Sequence, residues 1–254
     1  MTMKHTIILA AALLSTGVAQ AQDVASIFSP RRIVKTNLVG YVNLAVNLNY
    51  EQKLGAKTSA GLLSGYKLPT VIHVEAIGTV DGEKQKYTGD IEPQGLFVNP
   101  YFRFYPKEVF KGFYVEAFIR YFNYKFLLPY DYDKNGGKIH ANLDGTASAT
   151  GGGLALGVQF ALASRLFLDI NAGYGMAVGK AHLETNDPNL ELEDYQTIKR
   201  NIEKYQDDED IQVFILGDIL TDPKAGATDS KAWADFENKV FPVLRGGISI
   251  GYAF

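Results

Sequence analysis

Residues 44–53 read Leu-Ala-Val-Asn-Leu-Asn-Tyr-Glu-Gln-Lys. Leu44, Val46, Leu48 and Tyr50 occupy one set of alternate positions, and Ala45, Asn47, Asn49, Glu51 and Lys53 the other. Successive side chains of a strand point to opposite faces, so this stretch predicts a strand with one apolar and one polar side.

Working outward, the same period recurs seven times. A first strand covers Arg32 to Tyr41, with Lys35 and Asn37 on its polar face. A third covers Thr58 to Tyr66, and a fourth, Leu96 to Tyr105, sets Phe102 and Phe104 against Asn99 and Arg103. The fifth, Gly112 to Phe126, opposes Val115, Ile119 and Tyr121 to Glu116 and Arg120. Leu154 to Leu162, Leu166 to Tyr174 and Leu244 to Phe254 complete the set, with Gln159, Asp169, Asn171 and Arg245 on their polar faces. Pro100 removes a ladder donor from the fourth strand and predicts a bulge there.

The connections sort by parity. They are short at 55–57, 106–111 and 163–165, and long at 67–95, 127–150 and 178–241. Short turns at one end and long loops at the other are the habit of transmembrane β-barrels, and several strands match the roughly 9–11 residues that a tilted crossing needs. The expected fold is therefore all-β: an eight-stranded antiparallel transmembrane β-barrel with long outer loops, the last partly helical. In that last loop Leu192, Tyr195, Ile198, Ile202 and Tyr205 recur at helical spacing, and so do Trp233, Phe236 and Val240. Two short amphipathic helices are expected to cap the barrel mouth.

The N-terminus predicts the compartment. Lys4, the apolar run from Thr6 to Leu14 and Ala19-Gln20-Ala21 have the layout of a secretory signal peptide cleaved after Ala21. The expected organisation is a signal peptide over 1–21 and a single barrel domain over 22–254, placed in the outer membrane. Cysteine is absent, which excludes disulfides, thiolate metal sites and thiol nucleophiles. A formal net charge of −3 gives no basic stripe for nucleic acid.

Two sets of residues carry a family resemblance. Ile248, Ile250, Tyr252 and Phe254 resemble the closing strand of outer-membrane barrels, whose terminal aromatic residue the barrel-assembly machinery reads. That resemblance implies an assembly signal at Phe254 and Tyr252. The chain after residue 21 resembles the small OmpA- and OmpX-type barrels. Lys35-Thr36-Asn37-Leu38, and Tyr101 to Tyr105 followed by Lys111 to Val115, are similar to an uncharacterised Bacteroidetes-type outer-membrane barrel family. The resemblance implies a fold and a location, with outer-membrane lipid and the assembly machinery as partners, but no reaction and no cofactor.

The polar faces collect Lys35, Glu51, Lys53, Arg103, Glu116, Arg120, Asp169 and Arg245. An eight-stranded barrel has an interior just wide enough for side chains to fill, and charges confined there must pair. A plug of ion pairs is expected in place of a diffusion channel.

Three other features bear on function. Asp131, Asp133 and Asn135 precede Gly136 in a long loop and resemble the start of a calcium-binding loop, although Asn142 stands where its bidentate carboxylate belongs. A plain Asn-Gly turn is the other reading of those residues. His73, His140 and His182 fall in long loops with Ser64 and Ser148 near strand ends, at no spacing that assembles a catalytic group. The expectation is a structural or surface-interaction barrel without enzymatic activity, whose loops contact extracellular or envelope partners. A barrel-embedded lipid-modifying enzyme and a soluble periplasmic β-protein are the alternatives.

Overall fold

The computed structural model of the chain describes residues 30–80, 83–134, 137–204, 212–213 and 223–254. The expected signal peptide at 1–21 lies outside these residues, as do Asn135 and Tyr205. Twelve strands and two helices follow in chain order. They are β1 (Arg32–Asn37), α1 (Leu38–Val42), β2 (Ala45–Lys53), β3 (Thr58–Lys67), β4 (Ile72–Val80), β5 (Glu83–Ile91), β6 (Gln94–Phe104) and β7 (Gly112–Lys134). After them come β8 (Gly137–Ala161), β9 (Leu166–Thr185), α2 (Leu192–Lys204), β10 (Gln212–Val213), β11 (Lys224–Ala227) and β12 (Ala232–Ala253).

Eight antiparallel strands form a hydrogen-bonded ring in the order β1-β2-β3-β6-β7-β8-β9-β12, and β12 pairs back onto β1. Closure leaves none of the eight with an unpaired edge along the ring. A separate three-stranded sheet, β10-β4-β5, and the short β11 beside β12 lie outside it.

Each expected strand is present, with four differences. The first ends at Asn37, because the Asn37 side chain caps α1 by accepting a hydrogen bond from the Val39 amide at 3.0 Å. No bulge occurs at Pro100. Its pairing to β3 is intact, and the β6–β7 ladder only skips Asn99 and Pro100 between Val98↔Tyr121 and Tyr101↔Phe118, keeping its register. The missing amide of proline thus costs one link and does not shift the strand.

The third difference is strand length. β7, β8, β9 and β12 continue far into the segments expected to be loops, so β8 has 25 residues where β2 has 9. With β11 they build a tall wall on one side of the ring. The fourth concerns Trp233, Phe236 and Val240, which lie on β12 and not on a helix. A bulge between Phe236 and Lys239, with Asn238 at φ 56°, inserts one extra residue, and the three side chains do not share a face: Phe236 is buried with Ala232 and Ala234, while Trp233 and Val240 lie on the other side. The other expected helix is α2, whose Tyr195, Ile198 and Ile202 are buried against Leu143, Leu183, Ala234 and Phe236.

The outward face of the ring changes character along one register row. Tyr121, Thr150, Val178 and Val240 pair successively across β7, β8, β9 and β12. On the short-turn side of this row, outward residues are apolar: Leu154, Leu156, Met176, Leu244, Ile250 and others are exposed. On the far side, β8 presents His140, Asn142, Asp144 and Thr146 outward and buries Ala141 and Leu143, so the polarity of the alternation inverts.

Inside, side chains are sized to fit. On β8 the inward column opposite β7 is Gly157, Ala155, Gly153 and Gly151, facing Tyr114, Glu116, Phe118 and Arg120. A Cβ at Gly157 would run into the Tyr114 ring. At the short-turn end Phe110, at φ 69°, turns inward and packs edge-on against Tyr105 and Phe167, with centroids 6.4 and 6.5 Å away. Ile33, Val109, Tyr114 and Ala253 fill the rest of that end.

Candidate functional site

Six of the expected interior charges meet at the centre of the ring. Arg103 on β6 reaches Glu51 (3.0 Å), Glu116 (2.8 Å) and Asp169 (2.8 Å), side chains from β2, β7 and β9. Lys35 on β1 bridges Glu51 at 2.5 Å and Asp169 at 2.6 Å. Arg245 on β12 completes the set by pairing with Glu116. Three cations thus balance three carboxylates, and all six residues are buried.

Neutral partners occupy the remaining lone pairs. Ser59 (2.5 Å) and Tyr105 (2.9 Å) donate to Glu51, and Tyr114 donates to Asp169 at 2.6 Å. The Arg103 guanidinium also lies over the Tyr114 ring at 4.0 Å and the Tyr101 ring at 4.7 Å. These tyrosines were legible: Tyr101 and Tyr105 fall at alternate positions with Arg103 and so share its inward face.

Lys53 and Arg120 stand apart from this network. Lys53, at the end of β2, is half-buried and enters no ion pair among the described residues. Arg120 sits beyond Phe118 on β7 and opens onto a cavity of about 220 Å³ on the α1 side of the network.

That cavity is lined by six asparagines, Asn37, Asn43, Asn47, Asn49, Asn99 and Asn171. Lys67, Arg120 and Arg245 supply its charge, and no aspartate or glutamate lines it. Asn47 secures the rim by donating to the Asn37 carbonyl (3.0 Å) and accepting from the Asn37 amide (2.7 Å). Asn99 is 2% exposed, and its Oδ1 has no hydrogen-bond partner. Arg120 makes only long contacts, 3.4 Å to the Leu244 carbonyl and 3.3 Å to the Tyr124 hydroxyl, and lies over Phe97 at 5.3 Å.

Asp131 and Asp133 are strand residues, paired with His140 and Lys138 in the β7–β8 hairpin. The segment expected to be a loop is therefore a two-stranded ladder. Among the described residues no three metal-ligating side chains of His, Cys, Asp or Glu cluster. His73 is on β4, exposed His140 on β8, and His182 on β9, where its Nδ1 lies 2.7 Å from Asp235. Ser64 donates to the Phe97 carbonyl at 3.4 Å. At the end of β12, Tyr252 is exposed with its hydroxyl 3.1 Å from Arg165, and the Phe254 side chain is exposed beside the short turns.

Along the tall wall, α2 begins with a reciprocal cap. Asp194 accepts from the Glu191 amide at 2.8 Å, and Lys134 of β7 donates to the same carboxylate at 2.7 Å. Burial raises the Asp194 pKa, but the bonds from Lys134 and the Glu191 amide outweigh it and hold the carboxyl below its ordinary range. The bond to Asp194 correspondingly raises Lys134.

Comparison with known proteins identifies a family. The family described as "Protein of unknown function (DUF3575)" matches residues 6–205, most of the chain, and the chain belongs to it. No curated protein and no solved structure matches the chain.

Proposed function

We propose, with membership of a family of unknown function as the premise, that this chain is a small outer-membrane β-barrel of the OmpA/OmpX kind. It is exported by a cleaved signal peptide, and its role is structural or one of surface interaction.

One observation carries the reading: the apolar outward belt stops along the single row Tyr121, Thr150, Val178, Val240 on four adjacent strands. A water-soluble sheet has no reason to change its outer face at one level. From Leu166 to Val178 at roughly 3.3 Å per residue, a strand tilted by about 45° rises close to the 25–30 Å of an apolar membrane band. Solvent-exposed apolar patches beyond a few hundred Å² are rare on monomers, and this belt includes Leu154, Leu244 and Met176, each more than half exposed. Beyond the row the tall wall and α2 stand in water, with polar residues outward.

The interior supports a closed lumen. Paired charges at the centre and the aromatic packing around Phe110 fill the space that a channel would need. The wall beyond the belt is the surface offered to envelope or extracellular partners.

The test is fractionation followed by electrophoresis in SDS with and without boiling. The protein is expected in the outer-membrane fraction, with a mobility that shifts on heating. Recovery in the soluble fraction with unchanged mobility would overturn the proposal.

A further inference from the structure

We propose that the asparagine-lined cavity is a binding site for a small hydroxylated anion of monosaccharide size, an acidic sugar such as a uronate. The charge argument comes first. The six central charges balance among themselves, so Arg245 is already matched by Glu116. Arg120 and Lys67 are not: neither pairs with a carboxylate among the described residues, and the cavity lining contains none. Lys67 reaches only the Asn43 carbonyl, at 3.2 Å. Two uncompensated cations therefore face one half-open cavity, where an anion gains more than it would at a flat surface.

The asparagines supply the second half of the argument. A carboxamide offers two donors and a carbonyl acceptor, the combination that a ring of hydroxyl groups requires. Water alone would satisfy amides in a polar cavity, but it would not neutralise the cations. Asn99 is the sharpest indicator, since its buried oxygen lacks the donor that such a group normally finds. A ligand hydroxyl provides that donor while its carboxylate meets Arg120. Arg120 is held loosely enough for this, its two contacts being at the long limit of hydrogen bonding.

Size sets the class. At about 220 Å³ the cavity is smaller than the roughly 300–1,000 Å³ of pockets for drug-sized molecules, so it suits a single sugar ring and not an oligosaccharide. Access is from the α1 side, and α1, fixed by Asn37 and Asn47, forms the rim. The site does not depend on membrane placement, and binding is measured on the folded chain in detergent, so its failure leaves the proposed location untouched.

The experiment is calorimetric titration of the folded full chain with glucuronate, glucose and inorganic phosphate. Glucuronate is expected to bind at least about tenfold tighter than either of the others, because each of those lacks one half of the recognition. Arg120→Gln is expected to weaken glucuronate by about tenfold or more while leaving glucose unchanged. Lys67→Gln, at the rim, serves as a second variant should Arg120→Gln fold poorly, and it is expected to weaken glucuronate in the same direction. Equal binding of glucose and glucuronate would overturn the anion assignment. Phosphate binding as tight as glucuronate would overturn the sugar assignment. No heat with glucuronate up to millimolar concentrations would overturn the site.

Discussion

Arg103 and Asp169 stand on strands that are not neighbours, β6 and β9, yet their side chains meet at 2.8 Å across the ring. The contact joins opposite walls through one guanidinium, and the same group also holds Glu51 and Glu116. Removing it strands three buried carboxylates with only Lys35 and Arg245 left to oppose them. Arg103→Met is expected to destabilise the fold by roughly 3–5 kcal/mol, and Arg103→Lys by less, since it keeps the charge but loses the fork. Urea unfolding in detergent, followed through the single tryptophan Trp233, measures both.

Gly157 makes room for Tyr114, and no side chain fits between them. Gly157→Ala is expected to cost about 1–3 kcal/mol by overpacking. In a Tyr114→Ala background the same change is expected to cost clearly less, because the two residues are in contact and their effects couple. Additive effects in a double-mutant cycle would contradict the packing described.

The docking of α2 carries a pH dependence with two limits. The lowered Asp194 pKa means that its contribution is present above the ordinary Asp range and disappears as pH falls through the depressed value. Lys134 is raised, so its contribution is present below the ordinary Lys range and is lost as pH rises through the elevated value. Protection of the α2 amides, taken relative to their intrinsic exchange at each pH, is expected to be highest between these limits. Asp194→Asn keeps the acceptor for the Glu191 amide but removes the charge that Lys134 meets, and is expected to lower that protection severalfold at neutral pH.

Leu154 is 63% exposed on the outward belt, on β8, which runs on to Ala161 before the short turn. If the belt faces hydrocarbon, Leu154→Arg costs roughly 2–4 kcal/mol when folding is measured in bilayers. An exposed leucine facing water would accept arginine with little change, so an unaltered stability would count against the membrane reading.

Phe254 tests the assembly signal separately from the fold. Its side chain is exposed, and its backbone carbonyl accepts from the Arg31 and Arg32 amides, contacts that survive truncation of the ring. Phe254→Ala is expected to reduce the amount reaching the outer membrane in cells, while refolding into detergent in vitro stays near normal. Equal loss in both settings would make the residue merely structural.

The ring was legible because its strands alternate strongly, with Leu, Val and Phe outward and Asn, Glu and Arg inward. The same alternation located Lys35, Glu51, Arg103, Glu116, Asp169 and Arg245 before any contact was known. The tall wall was not legible as strand because its alternation has the opposite sign: between 137 and 150 the apolar residues turn inward and the polar ones outward. A search for greasy outward faces passes over such a segment and records a loop. Trp233, Phe236 and Val240 differ for another reason: their spacing of three and four imitates a helix, but on the strand Phe236 faces inward while Trp233 and Val240 face outward. The asparagine cavity was not legible because its members come from six strands, β2, β3, β6, β7, β9 and β12, and from α1 and its flanks, and no local spacing unites them.

Phe110 and its neighbours give the molecule the logic of a cup and not of a pipe. With the short-turn end filled, a molecule that enters the cavity beside α1 has to leave by the same door, so under the proposed barrel reading its capture is reversible and saturable and opens no path for a gradient.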